Sequence, residues 1–510
     1  MIKSQEQIPN NTTIKITPSH LFQFSYQPLW IWYELFGDAS KKEPLSSFAM
    51  KILEDGVLHE KQVIQHLSIT SVDTTCPEKA LEETLALMQK GEPLIYQGSI
   101  QAEIDGILYH GRPDLLQKVE GSSIFGDWTY MPIDIKSSNS IKPLQKCQLI
   151  IYGWILSALL KSNIPTGTII NSQSEYLAVD LTNRKDQDKT RSMCSDIADI
   201  MRGNRPGINV TSNAKNSPWY KLMLQEALTE KDISLIYKLD GRSVKALRDL
   251  KIMTIDQFLQ TNIETLPQIP YAPFDKLKRA QLQAQSLIEN KIIWLANPNL
   301  GPETELKLFF DIEGSPWEKV EYLFGFWVVG DPEKKLITND VQYRTCDEDP
   351  SKYFLYFLAE APDKEEELWA NFLRWIETLP SGFQVIHYAD YERSHINTLA
   401  EKYGDSDSRQ AFMTHMLDLE KVVQKSVIFP LHFYSIKDIA KSEFLGFKWR
   451  HEKAGGSQSI FWYEEWLETK NQEILDDILN YNEDDVRATE HLYLWLKNHN
   501  KNSKQELVND

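Results

Sequence analysis

Cysteine is scarce in this chain. The four in 510 residues, Cys76, Cys147, Cys194 and Cys346, show no CxxC or Cys/His spacing, which excludes a disulfide framework and a zinc site of the usual kind. They are expected as isolated interior thiols. Long apolar runs are missing too. The longest, Leu149 to Leu160, is too short to span a bilayer, and the opening MIKSQEQIPNN has no apolar secretion core. A cytoplasmic chain without membrane contact is expected. Nor is positive charge in excess: the net charge is -18. That excludes a phosphate-binding coat over the whole surface, because nonspecific nucleic-acid affinity comes from Lys and Arg neutralising phosphates. A confined basic groove and local carboxylate clusters that hold divalent cations are compatible with it.

What is there reads as several folded domains, since one core rarely grows past roughly 250 to 300 residues. Residues 14–225 mix helical runs (Leu29 to Phe36, Phe48 to Leu67, Leu144 to Leu160) with strand-like runs (Ile104 to Tyr109, Tyr130 to Ile135), an α/β pattern. Residues 226–300 read as a largely helical connector. The Pro-, Asn- and Gly-rich stretch Ala296 to Pro302 reads as a linker. A third domain, 303–497, opens β-rich and closes helical, and 498–510 reads as a polar, frayed tail.

Two constellations carry chemistry. In the first, GRPDLL precedes YMPIDIKSS by about twenty residues, so Asp114 and the Asp134-Ile135-Lys136 triplet fall on candidate neighbouring strands. Residues i and i+2 of a strand face one side, which points Asp134 and Lys136 into one pocket. Two carboxylates suit Mg²⁺ or Mn²⁺, and an ammonium beside them can orient the attacking water. His59 sits upstream in a helical pattern as a further metal ligand. Gln148 and Tyr152, spaced i, i+4, share a helix face. Taken singly, these are equally well turn carboxylates, a satisfied helix histidine and the flank of a core helix.

In the second, LKLFFDIE reads as a buried strand ending in Asp311 and Glu313 on one face. QVIHYADYE supplies Glu392, with Asp390 as runner-up, at a strand-to-helix corner. The helix ILNYNEDDVRATEHLYLWL places Tyr481 and Asp485 on one face. Four carboxylates gathered from three elements suit a two-metal phosphodiesterase. Equally, DIE could end an edge strand and the Glu483-Asp484-Asp485 run could be a solvated helix face. Glu365-Glu366-Glu367 is read as a solvated face only.

The order GxxH, Asp, DxK, QxxxY over residues 14 to 225 resembles the RecB branch of the PD-(D/E)xK nucleases, whose fold is restriction-endonuclease-like. That resemblance implies metal binding by His59, Asp114 and Asp134, catalysis by Lys136, and strand positioning by Gln148 and Tyr152. Relatives in that branch often carry an iron-sulfur cluster held by four cysteines. The matching segment LFQFSYQPLW has none, so no cluster is expected. The second constellation resembles the tyrosine subtype of DEDD exonucleases, which have an RNase H-like α/β fold. This implies metal binding by Asp311, Glu313, Glu392 and Asp485, with Tyr481 orienting water. The segment Tyr388 to Glu392 departs from that subtype, which usually has an Asn two residues before a Phe-Asp pair. With MLDLEKVV, YSIKDIAKSEFLGFKW and SIFWYEEWL, the whole resembles bacterial RecB-like nucleases with an appended ribonuclease-H domain.

Between the two lies LDGRSVKALRDLKIMTIDQFLQTNIETL. It looks like helix-hairpin-helix material whose helix N-termini, with Arg242 and Lys245, contact a sugar-phosphate backbone. Nine Lys or Arg against seven Asp or Glu over residues 232–291 is a modest local reversal of the overall charge, and a purely structural connector reads as well. Function is therefore expected to be metal-dependent cleavage of nucleic acid, DNA before RNA. The alternatives are an RNA-processing exonuclease with only the C-terminal centre active and a decayed binding scaffold.

Overall fold

The computed structural model describes residues 13–45, 47–346, 348–451 and 458–506, the side chains of 47–48 and 500–506 excepted. The chain forms two compact units, Met1–Leu235 and Ile236–Asp510. Residues 236–300, expected as a separate connector, fall within the second unit.

In the first unit a six-stranded sheet runs Thr70–Ser71, Leu94–Tyr96, Leu115–Ser123, Gly126–Ile135, Thr166–Ile170, Tyr176–Asp180 in spatial order. Gly126–Ile135 and Thr166–Ile170 pair in parallel, joined by the helix Pro143–Leu160, which is largely apolar and half of whose residues are buried. This helix accounts for the long apolar run: it is a core helix. Among the described residues no helix is long and apolar enough to cross a membrane. The expected strand Ile104 to Tyr109 is instead a hairpin, Ile100–Ile104 paired with Ile107–Gly111. It turns at Asp105 and Gly106, both at positive φ. Asp-Gly is the residue pair that a two-residue hairpin turn prefers.

The second unit carries a six-stranded sheet ordered Gln342–Thr345, Lys352–Leu358, Val320–Val329, Leu306–Ser315, Phe383–His387, Met416–Asp418. The first four strands are antiparallel neighbours and the last two join in parallel. Leu306–Ser315 is therefore central and nearly fully buried, and the long helix Gln472–Glu506 packs across it and its neighbour. The aromatic core includes Phe310, Phe324, Phe326, Phe372, Trp375 and Phe412.

Three expectations are corrected in this unit and one in the thiols. The tail from 498 continues the last helix to Glu506, and 507–510 lie outside the described residues. Glu365 is not a solvated carboxylate: it is 2% exposed, accepts the Glu321 backbone N–H at 2.6 Å, and is held by Lys402 and by the Tyr403 hydroxyl at 2.7 Å. The Ala296 to Pro302 stretch, expected as a linker between domains, lies inside the second unit, with Gln384 donating to the Leu300 carbonyl at 2.7 Å. Of the thiols, Cys147 and Cys194 are buried, whereas Cys76 and Cys346 are half-buried.

Candidate active sites

Strand register builds the C-terminal site. Asp311 and Glu313 leave the same face of the central strand, and the ladder shifts register just after Glu313, which turns the strand end away from its partner. From the last helix, Asp485 reaches the same place. Ligand oxygens of Asp311, Glu313 and Asp485 lie within 4.8 Å of one another, the one such group of three among the described residues. Burial pushes the Asp311 carboxyl well above the usual carboxylate range, and the charges of Glu313, Asp485 and Glu392 add to it. Glu313 is pushed up to about 8 by burial and by Asp485. Burial raises Asp485 also, against the lowering effect of Lys437. Like charges crowded in a low-dielectric pocket either take up protons or share a cation. An all-oxygen donor set of this kind fits a hard divalent ion.

Each carboxylate has a dedicated donor, and sequence reasoning missed all of them. Asn482 donates to Asp311 at 2.6 Å, Ser459 to Glu313 at 2.6 Å, and the Trp449 indole N–H to Asp485 at 2.6 Å. Asn482 was legible in one respect, as the third residue before Asp485 on the same helix face. Its place is made by Gly325, the register partner of Asp311: a Cβ there would collide with the Asn482 side-chain oxygen. Glu392 is buried, faces His387 Nδ1 at 3.2 Å, and contributes to the field at Asp311. Asp390 is 71% exposed and lies 3.8 Å from Lys421. Tyr481 is buried with its hydroxyl against Lys437. Glu483 and Asp484, far from a solvated face, clasp Arg450, at 3.2 and 2.8 Å.

In the N-terminal unit, Leu115 pairs with Ile133, so the residues before and after them, Asp114 and Asp134, become neighbours. The Ile135 backbone N–H donates to Asp114 Oδ2 at 2.7 Å. Lys136 Nζ lies 3.1 Å from Asp134 and 3.9 Å from Asp114. Burial and the Asp134 charge push Asp114 up to about 8. For Lys136, burial pulls downward, but Asp134 and Asp114 outweigh it and the net shift is upward. Asp134 is fully buried, and beyond the lysine ion pair neither of its oxygens receives a hydrogen bond. A buried carboxylate without donors fits a metal ligand.

The remaining predicted residues are placed less centrally. His59 Nε2 lies 3.1 Å from the Asn171 carbonyl, and His59, Asp114 and Asp134 do not gather as closely as the C-terminal trio. Gln148 donates to the Tyr152 hydroxyl at 2.9 Å, which itself donates to the Arg112 carbonyl at 3.2 Å, so Tyr152 is a buried strut. Two residues not anticipated stand beside Asp114. Gln97, at positive φ, donates to Glu60 at 2.5 Å and lies 3.5 Å from Asp114 Oδ1.

Arg242 and Lys245 are exposed on the helix Gly241–Asp249, Arg242 lying over the Tyr271 ring at 3.4 Å from its centroid. That helix's N-terminus is not open to phosphate as expected, because Asp240 accepts the Arg242 and Ser243 N–H groups at 3.0 and 3.1 Å. The next helix, Ile255–Gln260, is closed by a Thr254/Gln257 capping box.

Residues 308–497 match the family described as the RNase_H superfamily, and this part of the chain is an RNase H-like domain. No curated protein matches. Among solved structures, one described as "Crystal structure of SSO0001" is 17% identical, covering 38% of this chain and 78% of that one, at a TM-score of 0.20.

Proposed function

We propose that the chain is a metal-dependent nuclease with two centres, hydrolysing phosphodiester bonds of DNA. The observation that carries this reading is the close oxygen cluster of Asp311, Glu313 and Asp485 inside an RNase H-like domain. Asp311, Glu313, Glu392 and Asp485 would hold Mg²⁺ or Mn²⁺. Bound there, the ions supply Lewis-acid stabilisation of the phosphate charge and a more acidic water. The chain's own groups do the rest. Asn482, Ser459, Trp449 and His387 fix the rotamers of the four carboxylates, and the Tyr481 hydroxyl orients the water at the scissile phosphate of a 3′ end.

The N-terminal centre is the second part of the proposal, a RecB-type PD-(D/E)xK site. Asp114 and Asp134 would hold the metal, with His59 a candidate third ligand. Lys136 would orient the water and offset phosphate charge. No iron-sulfur cluster is part of this reading.

The test is degradation of end-labelled single- and double-stranded DNA and RNA with Mn²⁺ by the full chain. Lys136→Ala is expected to remove one set of products and Asp311→Ala the other, each by 100-fold or more on the order expected for such groups. Preference for ribonucleotides would move the assignment to RNA. Nucleic-acid binding without cleavage would replace the enzyme by a scaffold.

A further inference from the structure

His59 and Glu60 are consecutive on the helix Ser47–Ile64. Consecutive helical residues point about 100° apart, which leaves room for only one of them at an ion held by the sheet. His59 turns to the Asn171 carbonyl, 3.1 Å from its Nε2. A carbonyl oxygen only accepts, so Nε2 carries the ring proton and has no lone pair to give a metal. Glu60 turns to the carboxylates of the N-terminal centre. Gln97 Nε2 stands 2.5 Å from Glu60 Oε1 and 3.5 Å from Asp114 Oδ1, so these two oxygens are at most 6.0 Å apart across a single amide.

The charges in this pocket are out of balance. Asp134 is fully buried and, beyond its ion pair with Lys136, neither of its oxygens receives a hydrogen bond. The one ammonium, Lys136 Nζ, lies 3.1 Å from Asp134 and 3.9 Å from Asp114. Burial, Asp134 and then Glu60 raise Asp114, and Glu60 adds to Asp134 and Asp114 in holding Lys136 up against burial. Three ionised carboxylates against one ammonium leave two negative charges, which a hard divalent cation matches.

We propose that Glu60, in preference to His59, is the helix-borne metal ligand of the N-terminal centre, joining Asp114 and Asp134 in place of its contact with the Gln97 amide. The three carboxylates stand wider than the C-terminal trio, so Glu60 has to move inward, a rotamer change that releases the amide. This inference rests on the two-centre reading above. The competing role is structural, a Glu60–Gln97 pair that only anchors the helix Ser47–Ile64 to the sheet.

The experiment counts Mn²⁺ by electron paramagnetic resonance in the full chain carrying Asp311→Ala and Asp485→Ala, which disable the C-terminal centre. Asp134→Asn in that background defines the N-terminal site as the binding it removes. Glu60→Gln is expected to weaken that binding by roughly 10-fold or more, since even residues that only support a ligand cost 10- to 100-fold. Its melting in EDTA should stay that of the parent, which separates lost ligation from lost folding. Glu60→Asp keeps the charge and is expected to fall between. His59→Gln is expected to cost less than Glu60→Gln. Gln97→Leu removes the competing donor and is expected to leave Mn²⁺ binding undiminished.

Glu60→Gln that binds Mn²⁺ as its parent does, while Asp134→Asn does not, would overturn the proposal. A larger loss in His59→Gln than in Glu60→Gln would return the ligand to His59. A loss in Gln97→Leu equal to that in Glu60→Gln would leave only the structural anchor. If Asp134→Asn removes no Mn²⁺ binding, the N-terminal metal centre itself fails, and this inference falls with it.

Discussion

Gly325, on the strand beside the central one, and Asn482, on the last helix, meet next to Asp311, and their contact explains why an asparagine can reach Asp311 at all. The amide donates to the carboxylate at 2.6 Å, and the space for it exists because position 325 has no Cβ. Gly325→Ala is therefore expected to displace Asn482. Overpacking costs about 1–3 kcal/mol, and the lost hydrogen bond to a buried carboxylate adds about 1.5–3 kcal/mol. Urea unfolding should show the loss, and Asp311-dependent cleavage should fall with it. Combining Gly325→Ala with Asn482→Ala separates the two effects: the clash with Asn482 is relieved and part of the stability returns, while the close approach to the Phe354 ring at 2.8 Å and the loss of support for Asp311 remain. Additive destabilisation in the double variant would refute the coupling.

At the scale of elements, the Pro143–Leu160 helix lies against the Ile100–Ile104/Ile107–Gly111 hairpin with Tyr152 filling the gap left by Gly111. A Cβ at position 111 would collide with the Tyr152 ring. Gly111→Ala is expected to destabilise the N-terminal unit by about 1–3 kcal/mol. Because Tyr152 sits in the field of Asp134, Lys136-dependent cleavage should weaken as well. Proteolysis that cuts the N-terminal unit no faster than in wild type would count against this.

Period-two and period-3.6 patterns made several such elements legible in the sequence. Asp311 and Glu313 on one strand, Tyr481 and Asp485 on one helix, and Asp134 with Lys136 at one strand end all follow from local geometry. Strand pairing brought Asp114 to Asp134 as the spacing suggested. What was illegible lay in contacts between distant segments. Trp449 reaches the site from a loop, Ser459 from the start of the helix Gln458–Thr469 and His387 from the end of the buried strand Phe383–His387, and no local pattern says what each will meet. Glu365 looked like one of three surface glutamates, and only the fold supplies Lys402, Tyr403 and a backbone N–H to bury it. The Asp105-Gly106 turn was readable and was overlooked, because the flanking apolar residues continue the strand pattern across it.

For the molecule as a whole, buried carboxylates in both units make stability depend on pH and on metal. Asp114 and Glu313 are each pushed up to about 8 in the folded chain, above an unfolded value near 4. Between those values the folded state holds protons that the unfolded state has lost. Stability from these groups is thus complete below about pH 4 and falls as pH rises through 8, by about 1.4 kcal/mol per pH unit for each proton. A divalent ion takes the ionised form, so it competes with protons and stabilises most at high pH. Calorimetry in EDTA should show each unit melting lower at pH 8 than at pH 6, and Mn²⁺ should raise both transitions far more at pH 8. Asp114→Asn should flatten the slope of the N-terminal transition alone, and Glu313→Gln that of the C-terminal transition alone. A melting temperature that rises with pH in EDTA, or Mn²⁺ stabilisation unchanged from pH 6 to 8, would mean that the two carboxylate clusters are not held protonated when metal-free.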